Sequence, residues 1–206
     1  MVELINNINL EVFSLYRSNY FNQFHIREMA KIIKKSHVGL LPNLKKLEDE
    51  KILFSKQVGK SKVYSLNLDN NQTKELILLS EKKKTLEMLN KEFFIKKIYD
   101  KYTQSSLNGC LILFGSYASG TSTKESDIDL FHIGEINDNE KRIIKDLGET
   151  YDKEIHLTIM SLKEFREQLR KQNILIKEII KNHIILFNHD LLINELWRYY
   201  NEKRER

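Results

Sequence analysis

The stretch GSYASGTSTKESDIDLF, residues 115–131, sets a Gly-Ser pair ten residues ahead of two aspartates that are separated by one residue. The apolar run CLILF precedes it and predicts a short buried strand that leads into a tight turn. Residues 126–134, SDIDLFHIG, predict a second strand. Alternation along that strand places Asp127, Asp129 and Phe131 on one face and Ile128, Leu130 and His132 on the other.

Two carboxylates at positions i and i+2 of a strand lie about 7 Å apart at Cα, close enough to share divalent ions. Magnesium held in this way usually takes further oxygens from nucleotide phosphates. The Gly-Ser turn provides the complementary half, because its backbone amides and the Ser116 hydroxyl can hold the β- and γ-phosphates. The stretch therefore predicts a site for a magnesium nucleoside triphosphate.

This spacing, together with the strands around it, resembles the Gly-Ser, ten residues, Asp-x-Asp motif of the DNA polymerase β-like nucleotidyltransferases, particularly the minimal group. The resemblance implies transfer of a nucleoside monophosphate, most often AMP from ATP, to a hydroxyl acceptor with release of pyrophosphate. It implies that Gly115, Ser116 and Ser126 bind the nucleotide. Asp127 and Asp129 would be catalytic and would bind two Mg²⁺ ions.

Complete members of that family carry a third carboxylate on a later strand. The next candidate strand is KEIHLTIMS, residues 153–161, where alternation points Ile155, Leu157 and Ile159 to the core. The position of the family's third carboxylate corresponds to His156. Glu154 lies two residues earlier on the same open face of the strand. Three possibilities stay open: Glu154 is the third catalytic and metal-binding carboxylate, His156 is a metal ligand or general base, or the site binds nucleotide without catalysis.

The first third of the chain predicts three helices followed by a hairpin. Residues 8–20 and 26–35 have helical apolar spacing, and Ser36 can cap a third helix across HVGLLPNLKKLEDEKIL, residues 37–53. Pro42, the only proline, predicts that this helix starts late or kinks. Residues 52–68, ILFSKQVGKSKVYSLNL, alternate on both sides of GKS and predict a β-hairpin.

This order resembles the winged helix-turn-helix domains of prokaryotic regulators. The resemblance implies that the third helix enters the major groove of double-stranded DNA, with His37, Asn43 and Lys46 facing it, while Lys60 and Lys62 of the wing contact phosphates. Residues 1–70 hold 11 Lys/Arg against 7 Asp/Glu and so carry most of the net charge of +5. The alternative is a module for dimerisation or protein docking.

The predicted fold class is α+β in three parts. Residues 1–69 form the winged helix-turn-helix domain, residues 70–106 a helical linker of one or two helices, and residues 107–206 a polymerase β-like nucleotidyltransferase α/β domain with a mixed sheet. The apolar side chains of the helical linker are expected to pack on both neighbouring domains or on a second subunit of a homodimer. In the tail, HIILF is a strand or a buried helical turn, and His183 and His189 are expected at the surface or in capping positions.

Several classes of protein are excluded by composition. A single cysteine, Cys110, inside an apolar run rules out a disulfide framework, and no stretch approaches the roughly 20 apolar residues of a membrane helix. A cytoplasmic location is expected. The leading hypothesis is a nucleotidyltransferase, resembling antitoxins that attach AMP to a cognate toxin protein and also bind DNA. The rivals are a non-catalytic DNA-binding regulator that senses nucleotide and a dimerising scaffold.

Overall fold

The computed structural model describes residues 4–59, 61–104 and 108–205. These form two compact units, one comprising the residues up to Ser80 and from Leu196 onward, the other Glu81–Glu195. The elements in chain order are α1 (Asn7–Ser14), β1 (Phe24–His25), α2 (Ile26–Ile32), α3 (His37–Asp49), β2 (Leu53–Val58), β3 (Ser61–Leu66), α4 (Asn71–Lys91), α5 (Phe93–Gln104), β4 (Cys110–Phe114), α6 (Gly115–Ser119), β5 (Ile128–Ile133), α7 (Asp138–Tyr151), β6 (Ile155–Met160), α8 (Leu162–Arg170), α9 (Ile174–Lys181), β7 (Ile184–Phe187) and α10 (His189–Arg204).

Within the described residues, the first unit contains three complete helices, parts of α4 and α10, and a small antiparallel sheet. Its strands are ordered β1-β3-β2, and β2 and β3 form the expected hairpin. Tyr16 ties helix to sheet, since its hydroxyl donates to the Tyr64 carbonyl at 3.1 Å and its ring packs edge-on against Phe24. The core is made of buried apolar side chains from all three helices and the hairpin: Val12, Phe13, Tyr16, Met29, Leu40, Leu44, Leu47, Ile52, Leu53 and Tyr64.

The third helix begins at its predicted cap. The Ser36 side chain accepts a hydrogen bond from the Gly39 backbone N–H, and α3 starts at His37. The expected late start is therefore wrong, because Pro42 lies inside the helix in its second turn. Proline removes the hydrogen bond that Val38 C=O would accept, and both residues are on the exposed side of the helix, where water can replace it.

The second unit is built on a mixed four-stranded sheet in the order β6-β5-β4-β7. β4 runs antiparallel to β5 and β7, whereas β5 and β6 are parallel and connected through α7. The mixed sheet of the prediction is confirmed. Its core consists of apolar residues from the central strands and the flanking helices: Met88, Leu89, Ile95, Ile98, Tyr102, Leu111, Leu113, Ile128, Leu130, Ile144, Leu147 and Leu186.

The segment between the two predicted domains contains two abutting helices, α4 and α5, with Glu92 between them. The boundary between the compact units falls inside α4, after Ser80, and again inside α10, after Glu195. Within the described ranges, every helix is too short or too polar to cross a membrane.

Three expectations for the tail and the edge of the sheet are settled by the structure. HIILF contributes the strand β7. Ile159, expected in the core, is 38% exposed because β6 is an edge strand, whereas Ile155 and Leu157 do pack against the core. His183 is buried and not at the surface, with Nε2 3.2 Å from Glu81 Oε1. Its Nδ1 lies 2.8 Å from the Ile180 carbonyl oxygen in the last turn of α9, which agrees with the expected capping position.

Candidate active site

The Gly-Ser turn begins where the central strand β4 ends. Phe114 is the last residue of β4 and pairs with Asp129 of β5, so Gly115 follows directly beside the aspartate. Gly115 has φ +68°, and a Cβ placed on it would lie 2.2 Å from Asp129 Oδ2. The left-handed backbone disfavours a side chain, and a Cβ would also displace the Asp129 carboxylate. The sequence therefore needs glycine at this position to bring the turn against the carboxylate.

The acidic residues and His156 converge at the start of the parallel strands β5 and β6. Asp129 and His156 are register partners, with His156 Nδ1 3.6 Å from Asp129 Oδ1. His156 Nε2 lies 2.8 Å from Glu154 Oε1. Potential ligand atoms of Asp127, Glu154 and His156 all lie within 4.8 Å of one another. Four residues predicted from two separate segments thus form one cluster.

The electrostatic environment of this cluster favours a cation. The hydrogen bond to Glu154 raises the pKa of the His156 imidazole above its ordinary value, and the charges of Glu154, Asp127 and Asp129 act in the same direction. Asp127, Glu154 and His156 are exposed, and Asp129 is half-buried. The cluster is therefore open to solvent and to a ligand, and it concentrates negative charge at one edge of the sheet.

A pocket of about 400 Å³ opens beside the Gly-Ser turn. This volume falls in the range of small-molecule sites. Its lining comprises the turn, the loop after it, one motif aspartate and the end of α9: Phe114, Gly115, Ser116, Ser119, Thr121, Asp129, Glu178, Lys181 and Asn182. Gly115 and Ser116, both predicted to bind nucleotide, share this pocket with Asp129.

The sequence did not predict that residues at the end of α9 line the pocket. Glu178, Lys181 and Asn182 lie far along the chain from the motif and carry no motif of their own. One local signal could have located them, because they immediately precede the apolar run HIILF. A strand there pairs with β4, so the residues that precede it lie at the end of the sheet where the Gly-Ser turn begins.

Asp127 and Glu154 line a second depression, of about 420 Å³. Ser126 lies there too, and it is not among the residues that line the Gly115 pocket. Its Oγ accepts a hydrogen bond from the Thr123 backbone N–H at 2.8 Å and so fixes the turn that leads into β5. A nucleotide-binding role for Ser126 stays a prediction, while its contact within the loop is a structural one.

The residues predicted to face DNA are distributed over α3 and the hairpin. His37 is exposed at the start of α3, and Lys46 is half-buried. Asn43 Oδ1 accepts a hydrogen bond from Asn6 Nδ2 at 3.3 Å. Lys62 Nζ donates to both carboxylate oxygens of Glu48, at 3.0 and 3.1 Å. Lys60 lies outside the described residues.

The outward face of α3 carries exposed apolar side chains. Val38 is 62% exposed and Leu41 48% exposed, and Pro42 is exposed beside them. The pairing of Lys62 with Glu48 further reduces the positive charge available to DNA at the base of the hairpin. This surface therefore leaves both DNA binding and protein docking as candidate roles.

Comparison with known proteins found similarity over the part of the chain that carries the candidate active site. Residues 95–186 match the family model of the nucleotidyltransferase domain. The "Putative protein adenylyltransferase MJ1547" of Methanocaldococcus jannaschii is 36% identical over 86 residues, which cover 41% of this chain and 60% of that protein. The match thus spans less than two thirds of that relative, and it concerns the domain rather than a whole protein.

A likeness to a solved structure was also found. The protein chain in a "Crystal structure of the toxin-antitoxin with AMP-PNP" aligns over 54% of this chain and 90% of its own length, with 17% identity and a TM-score of 0.37. A TM-score this low supports no conclusion about function.

Proposed function

We propose that the second unit is a nucleotidyltransferase that moves AMP from ATP to a hydroxyl group of a protein acceptor. The observation that carries the proposal is the packing of Gly115 against Asp129 at a pocket that Ser116 also lines. The match of residues 95–186 to the nucleotidyltransferase domain supports the reaction class. The name of the archaeal relative supports adenylyl transfer to protein.

In the proposed reaction the acceptor oxygen forms a bond to the α-phosphorus of ATP. The bond from that phosphorus to the oxygen bridging to the β-phosphorus breaks, and pyrophosphate leaves with the electron pair. The acceptor proton passes to a carboxylate of the cluster or to water. The Gly-Ser turn would hold the phosphates with its amides and hydroxyl, so the chain supplies positioning and charge compensation more than covalent chemistry.

The donor set of the cluster fits magnesium. Asp127, Asp129 and Glu154 provide carboxylate oxygens, the ligands that Mg²⁺ prefers, whereas the imidazole of His156 is better suited to softer metals. We therefore assign the three carboxylates as ligands for two Mg²⁺ ions and Glu154 as the third carboxylate. Bound Mg²⁺ would offset the charge of the triphosphate and increase the acidity of the acceptor hydroxyl.

The test is label transfer from ATP labelled at the α-phosphate, with Mg²⁺ and candidate acceptor proteins. The acceptors include the products of adjacent genes, because the antitoxin role implied by the motif predicts that a cognate toxin gains AMP and loses activity. Asp127→Asn and Asp129→Asn should abolish transfer. Asp146→Asn, an exposed aspartate on α7, is the matched control and should have no effect. Absence of both label transfer and pyrophosphate release from the wild-type protein would refute the enzyme hypothesis.

A second proposed function is binding of double-stranded DNA by the first unit. The order α1-β1-α2-α3 followed by the β2–β3 hairpin, with the sheet β1-β3-β2, favours a winged helix. His37, Asn43 and Lys46 would face the major groove, and Lys60 and Lys62 the phosphates. Binding measured against salt tests this, since Lys62→Ala should lower the salt slope by about 1 through the loss of one phosphate contact, and Lys46→Ala should weaken binding. Salt-independent or undetectable binding would leave protein docking as the role of this unit.

A further inference from the structure

We propose that Lys181, in the last turn of α9, binds the β- and γ-phosphates of the nucleotide in the Gly115 pocket. This inference rests on the proposed function of the second unit and names a residue of its substrate site that lies outside the Gly-Ser and Asp-x-Asp motif. Three observations support it: the position of the end of α9, the charge of the pocket and the anchoring of the helix.

The position of Lys181 follows from the pairing of β7 with β4. Leu113, near the end of β4, is the register partner of Ile184, the first residue of β7. The end of β4 continues into Gly115, and the start of β7 follows directly after Lys181 and Asn182. The Gly-Ser turn and the last turn of α9 therefore lie at the same end of the sheet and line one pocket.

The charge of the pocket depends on Lys181. Of the described residues that line it, Lys181 is the only cation, and Asp129 and Glu178 are the anions. Without Lys181 the pocket would present two carboxylates and no positive side chain to a triphosphate that itself carries several negative charges. Lysine ammonium groups commonly serve as point charges for phosphates.

Lys181 is also available and well placed to bind a ligand. Its side chain is exposed and takes part in no ion pair with the described residues. The helix that carries it is anchored in the second unit by buried Ile176, Ile179 and Ile180. A packed helix thus carries Lys181 at a pocket that Ser116 also lines.

The experiment is calorimetric titration of the full-length protein with ATP and with AMP, both in Mg²⁺. Lys181→Ala should weaken ATP binding about tenfold or more, because one charged contact to phosphate is lost, and should change AMP binding less than about twofold. Lys181→Arg should retain most of the ATP affinity. Lys177→Ala, an exposed lysine one turn earlier that does not line the pocket, is the matched control and should match wild type.

The possible failures can be told apart. If wild type binds ATP and Asp129→Asn weakens it, but Lys181→Ala leaves it unchanged, the assignment of Lys181 is wrong and the proposed function stands. An equal loss for ATP and AMP would place Lys181 away from the β- and γ-phosphates and would also overturn the assignment. If the wild-type protein binds no ATP, the proposed function itself fails.

Discussion

At the scale of single residues, the candidate site depends on very close approach between a glycine and a carboxylate. Gly115 combines a left-handed backbone with a position where the Cβ of any other residue would overlap Asp129 Oδ2. Gly120, at the end of α6, has a similar φ of +76° but open space around it. The two glycines thus share a left-handed backbone and differ in whether a Cβ would meet another atom, so comparing their alanine variants separates the two effects.

We expect Gly115→Ala to reduce nucleotidyl transfer on the order of 10²-fold, because the methyl group displaces the Asp129 carboxylate from its position beside the turn. Gly120→Ala should keep activity within a few fold, although both substitutions incur about 1–2 kcal/mol of backbone strain. Steady-state transfer rates and thermal unfolding of the two variants are the measurement. Equal activity in the two variants would show that strain alone, and not the clash with Asp129, determines the effect.

The third carboxylate can be assigned by comparing two neighbouring side chains. We expect Glu154→Gln to lower transfer on the order of 10²-fold, since it removes an oxygen ligand from the proposed metal cluster. His156→Asn should cost less than about tenfold, because its role would be to position Glu154 through their hydrogen bond. Glu149→Gln, an exposed residue of the second depression, is the control. The opposite order of effects would identify His156 as the ligand or base.

At the scale of elements, α3 forms with a proline in its interior because its N-cap and its buried face stabilise it. Ser36 satisfies the first turn, and the buried Leu40, Leu44 and Leu47 fix one face of the helix, so the helix continues through Pro42 in spite of the lost hydrogen bond. Packing of the apolar stripe compensates for the local cost of proline.

We expect Pro42→Ala to stabilise the first unit by about 1–3 kcal/mol, since it restores a backbone donor to α3 and removes the ring clash. Ser36→Ala should act in the opposite direction, by about 1 kcal/mol, because the cap is lost. Urea unfolding followed by Trp197 fluorescence reports on this unit, because the only tryptophan packs against Tyr20 at a ring-centroid distance of 6.0 Å. A destabilised Pro42→Ala variant would mean that the proline contributes a packing contact or a kink that the fold requires.

The buried pair of Glu81 and His183 joins α4 to the segment that precedes β7. Both side chains are 1% exposed, and Thr85, one turn along α4, donates a hydrogen bond to the Ile185 carbonyl. We expect Glu81→Ala to lower the free energy of unfolding of the second unit by about 1–3 kcal/mol, because the imidazole loses a buried partner. Far-UV circular dichroism in urea would measure it, with exposed Lys82→Ala as control. An unchanged midpoint would show that the pair contributes little net stability.

At the scale of the whole molecule, the chain carries two compact units with separate candidate roles. The excess of basic residues lies in the first 70 residues, whereas the acidic cluster belongs to the second unit. The distribution of charge therefore separates a candidate polyanion-binding surface from a candidate magnesium and nucleotide site.

We expect Asp129→Asn to abolish nucleotidyl transfer and to leave DNA affinity within about twofold of wild type. We expect Lys46→Ala to weaken DNA binding and to leave the transfer rate unchanged. Fluorescence anisotropy with a labelled duplex, with and without a non-hydrolysable ATP analogue, is the measurement. The alternative hypothesis, a non-catalytic regulator that senses nucleotide, predicts instead that the analogue changes DNA affinity and that no pyrophosphate is released. The two functions are thus separated by one set of variants.

The sequence by itself determined the local features of this protein. The cap at Ser36, the hairpin, the strand-turn-strand around Gly115 and the alternation that pairs Glu154 with His156 all depend on neighbours in the chain. The mixed sheet was expected from the family resemblance of the segment around Gly115, and the structure agrees with it.

The tertiary structure alone decided which distant residues share the site. Lys181 reaches the Gly115 pocket because β7 pairs with β4, and Lys62 is matched to Glu48 because the hairpin packs on α3. Ile159 is exposed because its strand lies at the edge of the sheet, and His183 is buried because α4 supplies Glu81. These outcomes depend on contacts between segments far apart in sequence, and periodicity or spacing within one segment contains no information about them.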